Sequence, residues 1–207
     1  VALTLLLFGV QSAPASVAET RSWEFSVLLD GSEIGYHNFE LVEAGERQEV
    51  ISEARFDVRF LFFNAFRYRH NNRALWQGNC LSSIESQTRQ NDKRFSVRGS
   101  QVDNQFTIES DGEAMTLDDC VMTFAYWDSD FLQQQRLLNP QSGEYLPVNV
   151  EPLGKQAVVV RGNTVQASAY RVTAKATELV VWYSDDDEWL GLESVAKGGR
   201  IIRYELT

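Results

Sequence analysis

Two cysteines, two histidines and four prolines are all that 207 residues contain of three residue types that usually mark chemistry or linkers. His37 and His70, with Cys80 and Cys120, show no ligand-like spacing, so no metal site and no cofactor are expected. With only 4 prolines and 13 glycines, collagen-like and linker compositions are excluded. Basic charge is also short, with 19 Lys and Arg against 29 Asp and Glu for a formal charge of −10. That balance argues against nucleic acid or an anionic membrane as the main partner, since both favour a basic surface. Catalytic motifs are missing as well: there is no G-x-S-x-G, S-x-x-K, H-E-x-x-H, Walker loop or G-x-G-x-x-G. The longest apolar run, Val1 to Val10, is too short to span a bilayer, which needs about 20 residues.

What is present is a globular composition. An apolar content of 43%, with 12% aromatic residues, excludes intrinsic disorder, and 23% charged residues excludes an integral membrane bundle. The first eighteen residues carry no charge. Small residues at Ala13-Pro14-Ala15 and Ser16-Val17-Ala18 suit a signal peptidase, so residues 1–18 read as part of a signal peptide and 19–207 as one exported domain, periplasmic or secreted. Export favours pairing Cys80 with Cys120, the alternative being two buried free thiols.

Beyond Ala18 the dominant period is two, the signature of strands with one face buried. Trp23, Phe25, Val27 and Leu29 alternate with polar residues up to a turn at Asp30-Gly31. A strand over 33–42 follows, and then a long one in which Val50, Ser52, Ala54, Phe56, Val58 and Phe60 face one way. Phe66, Tyr68 and His70 mark another strand, with a turn expected at Asn71-Asn72. Shorter alternating runs occupy 75–109, and strands resume over 145–150, 157–161, 165–175, 179–184, 189–196 and 200–206. The pattern breaks only between Asp118 and Asn139. There Asp118 or Asp119 could cap one short helix through Tyr126, and Asp128 or Ser129 a second that stops at Asn139-Pro140. About a dozen strands with one or two short helices over 118–138 predict an all-β domain, either a single antiparallel barrel or a strongly curled open sheet.

Candidate chemistry is sparse. Each histidine sits in a strand beside aromatics and reads as a structural residue. Paired carboxylates at Asp118-Asp119 and 185–188 read as caps and turn residues. Two features stand out. One is aromatic density: Phe60, Phe62, Phe63 and Phe66, with Trp76, Tyr126, Trp127 and Phe131, could wall an apolar ligand cavity or simply fill a core. The other is that 15 of the 19 basic residues are arginine. Arg55, Arg59, Arg67 and Arg69 could bind an anionic headgroup at a cavity mouth, or form cross-strand ladders with Glu53, Asp57 and Glu85.

Several stretches carry a resemblance. They include Trp23-x-Phe25, Leu29-Asp30-Gly31, Ile34-Gly35-x-His37 and Tyr68-x-His70. Trp76-x-Gly78-x-Cys80-Leu81, Cys120-Val121-x-x-Phe124-Ala125-Tyr126-Trp127, Leu137-Leu138-Asn139, Trp182-Tyr183 and the closing Gly199-Arg200 to Tyr204 continue it. Together they resemble an uncharacterised family of exported bacterial all-β proteins, over nearly all of residues 19–207. More distantly, the ending is similar to the curled sheets of periplasmic lipoprotein carriers. That likeness implies an open barrel holding acyl chains. The expectation is a non-enzymatic binding or carrier protein for an apolar ligand, a lipid or acyl chain. The alternative is an envelope scaffold that binds a protein partner, and a hydrolase or isomerase built on His37 or His70 has least support.

Overall fold

The computed structural model describes residues 18–207 apart from 61, 62, 119, 176 and 197, and leaves aside the side chains of 59, 60 and 63–65. Residues 1–17, where the signal peptide is expected, lie outside that range.

Alternation produces the expected strands. The first eight, β1 (Glu19–Leu29), β2 (Ser32–Ala44), β3 (Arg47–Phe60), β4 (Phe63–Gln77), β5 (Cys80–Gln90), β6 (Lys93–Val102), β7 (Gln105–Ser110) and β8 (Glu113–Leu117), form one antiparallel meander. A second meander comprises β11 (Asn149–Val160), β12 (Asn163–Ala174), β13 (Thr177–Tyr183), β14 (Trp189–Val195) and β15 (Ile201–Leu206). The two are stitched by β1 against β15, with Phe25 opposite Leu206 and Leu29 opposite Ile202. The result is a 13-stranded all-antiparallel sheet whose outermost strands, β8 and β11, do not pair with each other. It is a curled open sheet rather than a closed barrel. Left-handed residues sit at the expected turns, Asp30-Gly31, Asp103-Asn104 and Asp111-Gly112.

Between the meanders, residues 118–148 cross the inside of the curl. They hold a 3₁₀ helix, Ser129–Gln133, and a two-stranded ribbon of β9 (Arg136–Leu138) and β10 (Tyr145–Pro147). The expected first helix, over 118–126, does not form. Val121, Met122, Thr123, Phe124 and Ala125 are all buried in succession, and an isolated helix cannot hide every face at once. The backbone here is satisfied by partners across the curl: Leu81 N–H donates to Val121 O at 2.9 Å and Leu138 N–H to Met122 O at 2.8 Å. The second helix has its expected cap, with Asp128 accepting from Asp130 N–H at 2.9 Å. It ends at Gln133 rather than at Asn139-Pro140, because Arg136–Leu138 pairs as β9 with β10. Cys80 and Cys120 are joined by a disulfide that ties this connector to the start of β5.

The turn expected at Asn71-Asn72 is absent, because β4 runs straight through it. Asn72 is instead paired on both sides, with Ser52 of β3 and Ser86 of β5. A single strand over 145–150 is likewise not found, since β10 ends at Pro147 and β11 begins at Asn149.

The inner face carries two apolar clusters. The larger unites the connector with both meanders around Trp189, which is fully buried and lies 4.4 Å from Phe25 and 5.0 Å from Phe39, ring centre to ring centre. The smaller one comprises Val27, Ala54, Phe56 and Tyr68, with Phe66 and Tyr204 packed on it.

Candidate functional site

The two clusters are separated by polar residues. Because side chains alternate across a strand, residues opposite one another in the ladder share a face. One inward row reads His37, Ala54, His70 and Thr88 across β2 to β5, and the adjacent row reads Phe39, Ser52, Asn72 and Ser86. Ser52, His70, Asn72, Ser86 and Thr88 are all buried. Connector residues Thr123, Phe124, Tyr126, Trp127 and Asn139 to Gln141 approach from inside, leaving a cavity of about 180 Å³.

Several anchors hold the connector in place over these rows. Tyr183 donates to Tyr126 O at 2.7 Å, Asn79 to Asp130 at 2.5 Å, and the Ser86 hydroxyl to Pro140 O. At Gly143 the backbone is left-handed and a Cβ would lie 2.6 Å from Ser110 Cβ, so glycine permits the close approach of the connector to β7.

The hydrogen bonding of the polar rows is incomplete. His70 Nδ1 and Thr88 Oγ1 are 2.8 Å apart, and His37 Nδ1 lies 3.4 Å from Tyr204 Oη. His37 Nε2 and Asn72 Oδ1, both sealed from solvent, have no partner among the described residues. Burial, joined by repulsion from His70, lowers the His37 pKa well below the ordinary histidine value. Burial alone takes His70 down to about 4. Both imidazoles are therefore neutral near pH 7, and His70 is a weak base despite its contact with a hydroxyl. Burial also raises Tyr68, Tyr126 and Tyr204, so their hydroxyls stay protonated and able to donate. The site offers neutral donors and acceptors between aromatic walls. Among the described residues no group of three or more His, Cys, Asp or Glu side chains is placed to hold a metal ion.

Of the aromatic residues singled out from sequence, Tyr126 and Trp127 line the cavity. Trp76 packs edge-on to Trp127 with centroids 6.0 Å apart, and Phe131 lies fully buried against Tyr126 at 5.7 Å. Phe66 belongs to the second cluster. The side chains of Phe60, Phe62, Phe63 and Arg59 fall outside the described ones. Arg55 and Arg69 both pair with Asp57, at 3.3 and 3.0 Å, on the face of the sheet opposite the cavity, and exposed Arg67 is on that outer face too. None of these three lines the cavity. Sequence reasoning missed His37, Ser52, Asn72 and Thr123 as lining residues. The available sign was polar residues at inward positions of strands that otherwise alternate cleanly.

A family model described as Domain of unknown function (DUF6134) matches residues 25–207. The chain belongs to this family. Among solved structures it is similar to a beta-barrel-like protein of domain of unknown function DUF1849 from Brucella abortus. That match has a TM-score of 0.63 and 10% identity, and covers 94% of this chain and 98% of the other. At that identity the likeness is one of fold alone. No curated protein sequence matches the chain. Membership of DUF6134 agrees with the resemblance to an uncharacterised family.

Proposed function

We propose that this DUF6134 protein is a non-enzymatic binding or carrier protein of an exported compartment, with its ligand site in the cavity between β2–β5 and the connector. The observation that carries the reading is the pair His37 Nε2 and Asn72 Oδ1, sealed and unpartnered beside an aromatic-walled hollow. A buried polar group left unsatisfied costs about 1–3 kcal/mol, and a ligand with a matching polar end removes that cost. At about 180 Å³ the cavity is smaller than the roughly 300–1,000 Å³ of whole small-molecule sites, and close to the roughly 150 Å³ that holds a benzene-sized group. It suits one end of an amphipathic molecule, a ring or a short length of acyl chain carrying a hydroxyl, amide or carboxyl group. The disulfide supports the exported setting.

Titration with benzyl alcohol and with a fluorescent fatty acid, read by tryptophan emission and probe fluorescence, tests the site. Saturable binding of either probe is expected, with loss in Ser52→Phe, which fills the cavity. No binding of either, or equal binding by Ser52→Phe, would overturn it. The scaffold reading rests on the two unpaired edges, β8 with half-exposed Met115 and β11 with Val159. Crosslinking that recovers one stoichiometric protein partner would favour it.

A further inference from the structure

The outer face of the same strands carries charge in two contrasting rows. Arg73, Glu85, Arg98 and Glu109 stand opposite one another across β4 to β7 and alternate in sign. Arg98 pairs with Glu85 at 3.3 Å, and Arg73 with Glu49 at 2.6 Å. This is the ordinary solution for an exposed sheet face, since opposite charges stabilise a cross-strand pair and like charges destabilise it.

Four residues along β4 the rule is broken. Arg55, Arg69, Arg89 and Arg94 stand opposite one another across β3, β4, β5 and β6, four arginines in one row of a chain with net charge −10. Asp57 answers the first two. Among the described residues neither Arg89 nor Arg94 forms an ion pair, although directly opposed side chains have Cβ atoms only about 4.5–5.5 Å apart. Arg89 Nε donates only to Asn91 O, at 3.3 Å. Arg69, Arg89 and Arg94 line a groove of about 420 Å³ together with the neutral donors Asn71, Gln87 and Ser96. Its one lining carboxylate, Asp111, accepts from Ser96 N–H at 3.4 Å.

We infer that this groove is a second binding site, for a phosphate group. Two facing guanidinium forks with no carboxylate ion-paired to either match a single ligand group of charge about −2, which a phosphate monoester supplies and one carboxylate does not. Arg69, held by Asp57 and by Tyr68 O at 2.8 Å, forms a fixed third wall. The phosphate can belong to a soluble phosphorylated molecule or to a lipid headgroup. The site is independent of the interior cavity, because the two lie on opposite faces of the sheet.

The experiment is an NMR titration of the full folded protein with inorganic pyrophosphate at low ionic strength, where exposed charges are least screened. Saturable shifts are expected at Arg69, Asn71, Gln87, Arg89, Arg94 and Ser96. The double variant Arg89→Gln/Arg94→Gln should bind about tenfold or more weakly. Its melting temperature should hold or rise, because a repulsive pair has been removed. Arg73→Gln/Arg98→Gln, in the alternating row, should bind like wild type. Sedimentation with phosphatidic acid vesicles, whose headgroup is a phosphate monoester, and with phosphatidylcholine vesicles separates the sources. Pelleting with the anionic vesicles that is lost in the Arg89/Arg94 double variant assigns a headgroup, whereas pyrophosphate binding without pelleting assigns a soluble phosphate. Absence of saturable binding to both pyrophosphate and anionic vesicles, or equal weakening by the Arg73/Arg98 pair, would overturn the proposal.

Discussion

His70 is the residue where burial and titration meet most directly. Unfolded, its imidazole has a pKa of about 6.5; folded, burial takes it down to about 4. The unfolded chain therefore binds the proton more readily between those values, and stability falls as pH drops from about 6.5 towards about 4. His37 adds to the loss in the same direction. At roughly 1.4 kcal/mol per unit, His70 alone contributes on the order of 3 kcal/mol. Urea unfolding across this window should show that loss in wild type, reduced by the His70 share in His70→Gln, with the His37 share remaining. An unchanged slope in the variant would place the effect elsewhere. Single residues were also where the sequence was hardest to read. Ser52, Asn72 and Thr88 look like ordinary polar breaks in a strand pattern, and Asn71-Asn72 looks like a turn. What makes Asn72 an inward-facing site residue is its pairing with Ser52 and Ser86, set by the β3–β4 and β4–β5 registers that no local rule specifies.

The connector, residues 118–148, is the element on which the cavity depends, because it supplies the Tyr126 and Trp127 wall. The Cys80–Cys120 bridge pins its entry, with a sequence separation of 40. For a loop of about 41 residues the chain-entropy model gives roughly 4 kcal/mol of stabilisation. In a chain of this size that corresponds to a melting shift on the order of 10 °C. Calorimetry of wild type with and without reductant, and of Cys80→Ser, should show this drop; identical melting curves would remove the bridge from the stabilising interactions. Strands were legible at this scale because alternation is a local property, and Asp128 was legible as a cap. The helix over 118–126 was not excluded by anything local. Five consecutive buried residues became explicable only once the curl around them was known, with backbone partners arriving from β5 and β9.

For the whole molecule, the expected curled antiparallel sheet is what the chain forms, and the stitching of β1 to β15 explains how two meanders make one inner face. Composition located neither the polar rows between the clusters nor the arginine row behind them, because each arises from strands far apart in sequence lining up. The central claim is that the interior rows hold a ligand. Native mass spectrometry of the protein purified from its own cells tests it most directly. A small-molecule adduct is expected on wild type and not on Asn72→Leu, a variant of similar size that removes the unpartnered acceptor and whose folding is checked by circular dichroism. Bare protein mass for wild type in repeated gentle preparations, or an adduct unchanged in Asn72→Leu, would contradict it.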